Sequence, residues 1–339
     1  MVKPDRQILF LGTAVAIALI IVAVVLLSQK NGEARNRRQQ GESKLAEIPF
    51  DGQRAYEFLQ KVCALGPRYS GSPGMSQQQQ MLLEHFQALG AQVQLQSFDV
   101  RHPVHGRPVQ LANLIATWHP QRHQRILLCA HYDTRPYPDR DSDPGKQNEP
   151  FIGANDGASG VAVLAEMARY MPTLGGQVGV DFVLFDGEEL VYDDRRDEYF
   201  LGSGFFSRSY VADPPGHRYR CAVLMDMVGD AELHLFQERN STRWPDVRPF
   251  VDEIWAVAKD LGVREFIPRV RHEVRDDHLK LHDVAGIPAL DIIDFDYPRP
   301  GLRTSYWHTT EDTPDKCSAD SLAKVGWVVL EWLNRSTGS

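Results

Sequence analysis

A chain of 339 residues that is 42% hydrophobic and 24% charged is neither disordered nor fibrous, and its length allows one large domain or two small ones. Lys+Arg 37 against Asp+Glu 45 leaves a formal net charge of −8 and no basic surplus to neutralise a phosphate backbone, which speaks against nucleic acid as a partner. Four scattered cysteines, Cys63, Cys129, Cys221 and Cys317, make no C-x-x-C, so neither a zinc knuckle nor a disulfide scaffold is indicated.

In chain order, residues 1–7 form a short flank, and Ile8–Leu27 carries no charge at all. Twenty such residues match the ~30 Å of a bilayer core. A buried helix of that length would show a polar face, and a signal peptide would be shorter and end at a small-x-small site; neither is seen, so an uncleaved transmembrane anchor is expected. Lys3 and Arg6 precede it, whereas Lys30, Arg35, Arg37 and Arg38 follow it, a bias that taken alone turns the rest of the chain towards the cytoplasm. Residues 28–47 read as a polar tether, and 48–339 as one catalytic domain.

Within that domain the spacing predicts helices over Met75–Leu89, Ala158–Met171, Pro249–Leu261 and Ser318–Leu333. Strands are predicted over Val93–Val100, Leu111–Trp118, Arg125–Ala130, Val180–Phe185, Ala222–Met227 and Ala289–Ile293. Alternation of this kind implies an α/β fold with a mixed, largely parallel sheet covered on both faces, a three-layer α/β/α arrangement. Chemistry in such sheets collects beyond the strand C-termini.

Those ends are rich in metal-binding side chains: His131-Tyr132-Asp133, Asn155-Asp156-Gly157, Asp186-Gly187-Glu188-Glu189, Asp226, Arg275-Asp276-Asp277-His278 and Tyr306-Trp307-His308-Thr309. Taken singly, each has an ordinary explanation. His131 or His308 fits a hydrogen-bonded core residue, Asp156 a helix cap, Glu188-Glu189 a solvated helix start, and Asp276-Asp277 a charged loop. Asp226, inside an apolar run, is hardest to explain so, because a buried carboxylate needs a cation or strong donors. Their coincidence favours a zinc site. Adjacent Glu188 and Glu189 diverge at a turn, so one can bind metal while the other carries protons.

These residues, in this order, resemble the zinc aminopeptidase superfamily that also contains the animal-type glutaminyl-peptide cyclotransferases. The likeness runs from about Ala55 to Leu333 through G-P-R-Y-S-G-S-P-G, C-A-H-Y-D-T, G-A-N-D-G-A, F-D-G-E-E-L, L-M-D-M-V-G, D-D-H and W-H-T-T-E-D. As a cyclotransferase, the resemblance implies one zinc on Asp156, Glu189 and His308. Glu188 is then the general acid/base, supported by a hydrogen-bond network of Asp226 and Asp276, and peptide or protein N-termini are the substrate. As an aminopeptidase, it implies a second zinc on His131, Asp156 and Asp226, with Asp156 bridging and Glu188 activating water. The doubled Asp276-Asp277, where the hydrolases commonly read S-D-H, and Trp307 as a pocket wall look like the cyclotransferases.

Three positions depart from that pattern. Cys129 matches a cysteine that the secreted animal enzymes use in a disulfide, but the partner position here reads Val161, so that bond is absent. A charged run, Asp193–Glu198, replaces a tryptophan-containing loop and reads as a solvated face. Arg275 replaces the familiar glutamine. The resemblance also implies an extracytoplasmic domain, against the charge bias around Ile8–Leu27. Asn240-Ser241-Thr242 is a glycosylation sequon by pattern.

Overall fold

A strand buried on both faces needs no polar alternation, and Val178–Phe185 shows this, being buried at every position. The computed structural model describes residues 48–296 and 305–337. The predicted span at 8–27 and the tether lie outside these; among the described residues no helix is long and apolar enough to cross a membrane.

The central sheet comprises β1 (Gln92–Arg101), β2 (Pro108–Trp118), β3 (Gln124–His131), β4 (Val178–Phe185), β5 (Arg218–Asp226) and β8 (Ala289–Ile293), in the order β1-β2-β4-β3-β5-β8. β1 and β2 form an antiparallel hairpin, β2 runs antiparallel to β4, and β4, β3, β5 and β8 are mutually parallel. A separate parallel pair joins β6 (Leu235–Gln237) to β7 (Phe266–Val270).

Helices cover both faces. On one side α1 (Gly52–Cys63), α3 (Ala158–Met167) and α8 (Ala319–Thr337) pack together; on the other, α4 (Leu201–Ala212) packs on α7 (Asp277–Asp283). Alternation along β3 separates the two sides. Cys129 joins Phe206 of α4 and Leu281 of α7 in one apolar cluster, whereas Ala130 faces α3. There Gly160 makes the close approach possible, since a Cβ on it would lie 2.2 Å from the Met225 carbonyl oxygen. The remaining helices are α2 (Pro73–Ala88), capped by the Ser72 side chain on Met75 N–H, α5 (Arg239–Arg243) and α6 (Arg248–Leu261).

All six strands and four helices expected from the pattern are present, most of them extended by one to four residues, while the helix expected to reach Met171 stops at Met167 and gives way to a short 3₁₀ turn over Met171–Thr173. Helices α1, α4, α5 and α7 and the β6–β7 pair lie outside the predicted elements, although α1 does carry a helical pattern, with Ala55, Leu59, Val62 and Cys63 buried on one face.

Arg125 opens β3 although the strand is buried. Its guanidinium donates to both oxygens of Asp181 on β4 at 2.7 and 2.8 Å and to the carbonyls of Trp118, His119 and Val180. Asp181 also accepts from the Tyr219 hydroxyl at 2.8 Å. Asp181→Ala would strand a buried cation, and urea unfolding should show a loss of about 3–5 kcal/mol.

Candidate metal centre

The parallel strands deliver their last residues to one edge of the sheet. β3 ends at His131, β5 at Asp226, and β4 runs straight into Glu188 and Glu189. Asp156 comes from the turn before α3, and His308 from the turn Tyr306–Thr309.

Asp156 lies at the centre. Its Oδ2 is 3.3 Å from His308 Nε2, which is also 2.8 Å from Glu189 Oε1. Its Oδ1 is 3.2 Å from His131 Nε2, which is also 3.0 Å from Asp226 Oδ1. Two three-residue donor sets, Asp156/Glu189/His308 and His131/Asp156/Asp226, therefore share one carboxylate. The helix-cap explanation of Asp156 fails, because Gly157 occupies the cap position and no side chain bonds there. The solvated-start explanation of Glu188-Glu189 fails as well, with Glu189 only 3% exposed.

Nitrogen and oxygen donors in threes fit zinc, and the charge balance requires a cation. Burial pushes Glu188 well above the ordinary carboxylate range, and the charge of Glu189 adds to it. Burial likewise raises Glu189 (with Asp156), Asp226 (with Asp156) and Asp276 (with Asp226). Burial alone would lower His308, but Glu189, Asp139 and Asp156 outweigh it and hold the imidazole at about 10. The carboxylates that favour a proton on this imidazole would also attract a metal cation, and metal and proton would compete for the ring nitrogen.

Further residues fix the donors. Asp133 accepts from Glu188 N–H at 3.1 Å and Glu189 N–H at 3.0 Å, aiming the two carboxylates apart. Asp312 accepts from Asn155 N–H at 2.8 Å and Asp156 N–H at 3.0 Å; burial, with the charge of Asp156, pushes it up to about 8. The Arg135 N–H donates to Glu189 Oε2 at 2.9 Å, and Asp139 lies 3.3 Å from His308 Nδ1. Arg68, fully buried, donates to the carbonyls of Gly66, Ile152 and Gly153 and so ties the Asp156 loop to the segment before α2. Asp133 and Asp312 stand inside the H-Y-D and T-E-D motifs, and Arg68 inside G-P-R, yet their bonds go to distant backbone that spacing does not reveal. Asp312→Ala would leave two buried N–H groups unpaired at about 1–3 kcal/mol each. It should also weaken zinc ~10–100-fold, read by competition with a chromophoric chelator.

The other expected residues surround a cavity of about 280 Å³ lined by Glu188, Glu189, Asp156, Asp226, Asp276, Trp307 and His308, among others. Glu188 is the exception among the carboxylates. Its oxygens make no hydrogen bond among the described residues, and the nearest partner atom is His131 Nδ1 at 3.9 Å. The network expected around it takes a different form. Asp226 bonds His131, and Asp276 caps α7 by accepting from Asp277 N–H at 2.6 Å; both share Glu188's cavity wall, and of the two Asp276 acts on it through charge. Trp307 packs edge-on against Phe295, 5.1 Å between ring centres, and lies 4.1 Å from the His308 ring. It is a cavity wall rather than a core residue.

The charged run is more than a solvated face. Asp194 pairs with Arg135 at 2.5 Å, Asp197 accepts from Tyr192 and Asp193 N–H, and Tyr199 and Phe200 reach the cavity. All four cysteines are free and buried, as expected for Cys129. Asn240 of the sequon is buried and donates its side-chain amide to the Val274 carbonyl at 3.2 Å, so that triplet offers no accessible glycosylation site.

The model of peptidase family M28 matches residues 113–333. A glutaminyl cyclase from Fimbriiglobus ruber is 41% identical, superimposes with a TM-score of 0.79, and is matched over 84% of this chain and 95% of that one. A Zn-dependent exopeptidase from Parabacteroides distasonis is 32% identical with a TM-score of 0.77, over 84% of this chain and 99% of that one. The glutaminyl-peptide cyclotransferase of Bothrops jararaca is 28% identical over 79% of this chain and 78% of its own length. On its fold and on a family match over residues 113–333, this chain belongs to peptidase family M28.

Proposed function

We propose that this chain is a zinc-dependent glutaminyl-peptide cyclotransferase, closing the N-terminal glutamine of a peptide into pyroglutamate with release of ammonia. The observation that carries the reading is Glu188, a largely buried carboxylate, 12% exposed, that makes no hydrogen bond among the described residues and faces the same cavity as a three-residue zinc donor set. The 41% identity with a glutaminyl cyclase points the same way.

Asp156, Glu189 and His308 would hold one zinc per chain, which supplies a Lewis acid for the side-chain amide oxygen of the substrate. The chain's own residues then do the following. Trp307, Phe295 and Ile293 wall the cavity with apolar surface that holds the glutamine side chain and limits water. Glu188 accepts the proton of the α-amine as its nitrogen bonds to the side-chain amide carbon. It returns that proton to the amide nitrogen, the carbon–nitrogen bond breaks, and ammonia leaves. Burial keeps Glu188 basic and the charges of Glu189, Asp276 and Asp277 add to it, while Asp226 holds His131 beside it.

The attacking amine must be neutral, and its ordinary value is ~7.7–8.0. Burial raises Glu188, which must be ionised, so both groups act in one direction. The value of kcat/KM should fall at least about tenfold per pH unit below ~7, and towards about a hundredfold where Glu188 also takes up its proton. A pH–rate profile that stays flat towards pH ~5.5 would contradict this assignment.

A second reading rests on one observation, that Asp156 turns an oxygen to each histidine, as a carboxylate bridging two metals would. The chain would then be a di-zinc aminopeptidase. Zinc analysis with Gln- and Leu-peptides separates the two. One zinc, with ammonia from Gln-peptides only, is expected; two zincs and free leucine would favour the aminopeptidase. The apolar run Ile8–Leu27 supports a membrane anchor, and the family resemblance read from the sequence favours an extracytoplasmic catalytic domain.

A further inference from the structure

Among the described residues three arginines line the cavity, and two of them are engaged inside the protein. Arg135 is buried and pairs with Asp139 at 2.9 Å and Asp194 at 2.5 Å. Arg140 lies over the Trp307 ring, 4.4 Å from its centre, and reaches Asp194 at 3.7 Å. Arg275 differs. It is exposed, its guanidinium lies 5.6 Å from the centre of the Tyr199 ring, and among the described residues no carboxylate comes within ion-pair distance. The neighbouring acid on that rim, Glu273, is paired with Arg243 at 3.0 Å.

We propose that Arg275 determines specificity by binding a carboxylate on the substrate beyond its N-terminal glutamine; this rests on the cyclotransferase reading. Asp276, the next residue, is buried in the cavity wall with an extended backbone, so Arg275 projects the other way, to the mouth. A glutamine whose amine meets Glu188 occupies the floor, and the rest of the peptide leaves through that mouth. The planar guanidinium suits a carboxylate's two oxygens, and the Tyr199 ring beneath it restricts its motion. With no internal partner, Arg275 loses no ion pair when a substrate takes it. The carboxylate can be the side chain of the following residue or the terminus of a short peptide.

The test uses the full-length zinc-loaded protein, with kcat/KM measured as ammonia release from amidated Gln-Glu-Ala, Gln-Lys-Ala and Gln-Ala-Ala, and from Gln-Ala-Ala with a free carboxylate. An exposed pair predicts a ~3–5-fold preference for glutamate over lysine at low salt. It should fade at ~1 M salt, where screening reaches ~3 Å. Arg275→Gln should abolish the preference, Arg275→Lys keep part of it, and Arg275→Glu invert it. A preference for the free acid alone, lost in Arg275→Gln, assigns the carboxylate to the chain terminus and supports the proposal. A glutamate-to-lysine ratio and an acid-to-amide ratio that are both unchanged by Arg275→Gln overturn it. No ammonia from any peptide overturns the cyclotransferase reading and the proposal together, whereas turnover without Arg275-dependent preference overturns the proposal alone.

Discussion

Glu188→Gln should lower kcat for a glutamine-terminated peptide by about 10²–10⁴-fold while the protein still folds and binds zinc. The substitution keeps the shape of the side chain and removes only its capacity to accept a proton. Glu188 belongs to neither donor set that shares Asp156, and in the third candidate set, His131/Glu188/Glu189, it stands 3.9 Å from His131 Nδ1. Asp133 positions the segment through the Glu188 and Glu189 backbone N–H groups, which the variant retains. No other carboxylate in the cavity is equally free, because Asp226 is bonded to His131 and Asp276 to Asp277 N–H. Single-turnover kinetics and metal analysis of the same sample check both halves. Unchanged turnover would remove Glu188 from the chemistry, whereas lost zinc would recast it as a ligand.

Replacing the two histidines one at a time should give opposite metal results. His308→Ala removes a nitrogen that faces both Glu189 and Asp156, 2.8 and 3.3 Å away, and should abolish activity through loss of zinc. The fall in affinity should exceed the ~10–100-fold that follows loss of a mere supporting partner. His131→Ala should retain one zinc, because Asp156 keeps its other oxygen towards His308. It should still slow turnover, since it strands Asp226 beside Glu188 without its hydrogen bond. Equilibrium dialysis reads both variants. Zinc lost equally from each would indicate two interdependent metals.

Much of this site is readable from residue order because a parallel sheet converts position in the chain into position in space. A strand that ends in His131, another that runs into Glu188-Glu189 and a third that ends at Asp226 must share one edge. The choice between ligand and helix cap at Asp156 is not readable, since both readings place an aspartate before a helix, and only the position of Gly157 at the cap separates them. The clamps Asp133, Asp312 and Arg68 escape for another reason. Each acts on main-chain atoms brought near by tertiary folding, and a hydrogen bond between Asp312 and the N–H of Asp156 leaves no period in the sequence. The short helix α7 hides behind a run of charges whose first member is its own cap. The loop Asp193–Glu198 looks solvated because its acids find partners inside the loop and on Arg135.

In a cyclotransferase the substrate's own amine, and not water, attacks a carbonyl in this site. Turnover of an amidated Gln-Ala-Ala peptide in heavy-oxygen water, followed by mass analysis of the products, tests this directly. The structure predicts ammonia and a pyroglutamyl peptide of undiminished residue count with no solvent oxygen in it. Free glutamine carrying heavy oxygen in its carboxylate would contradict that prediction and make the site a hydrolase.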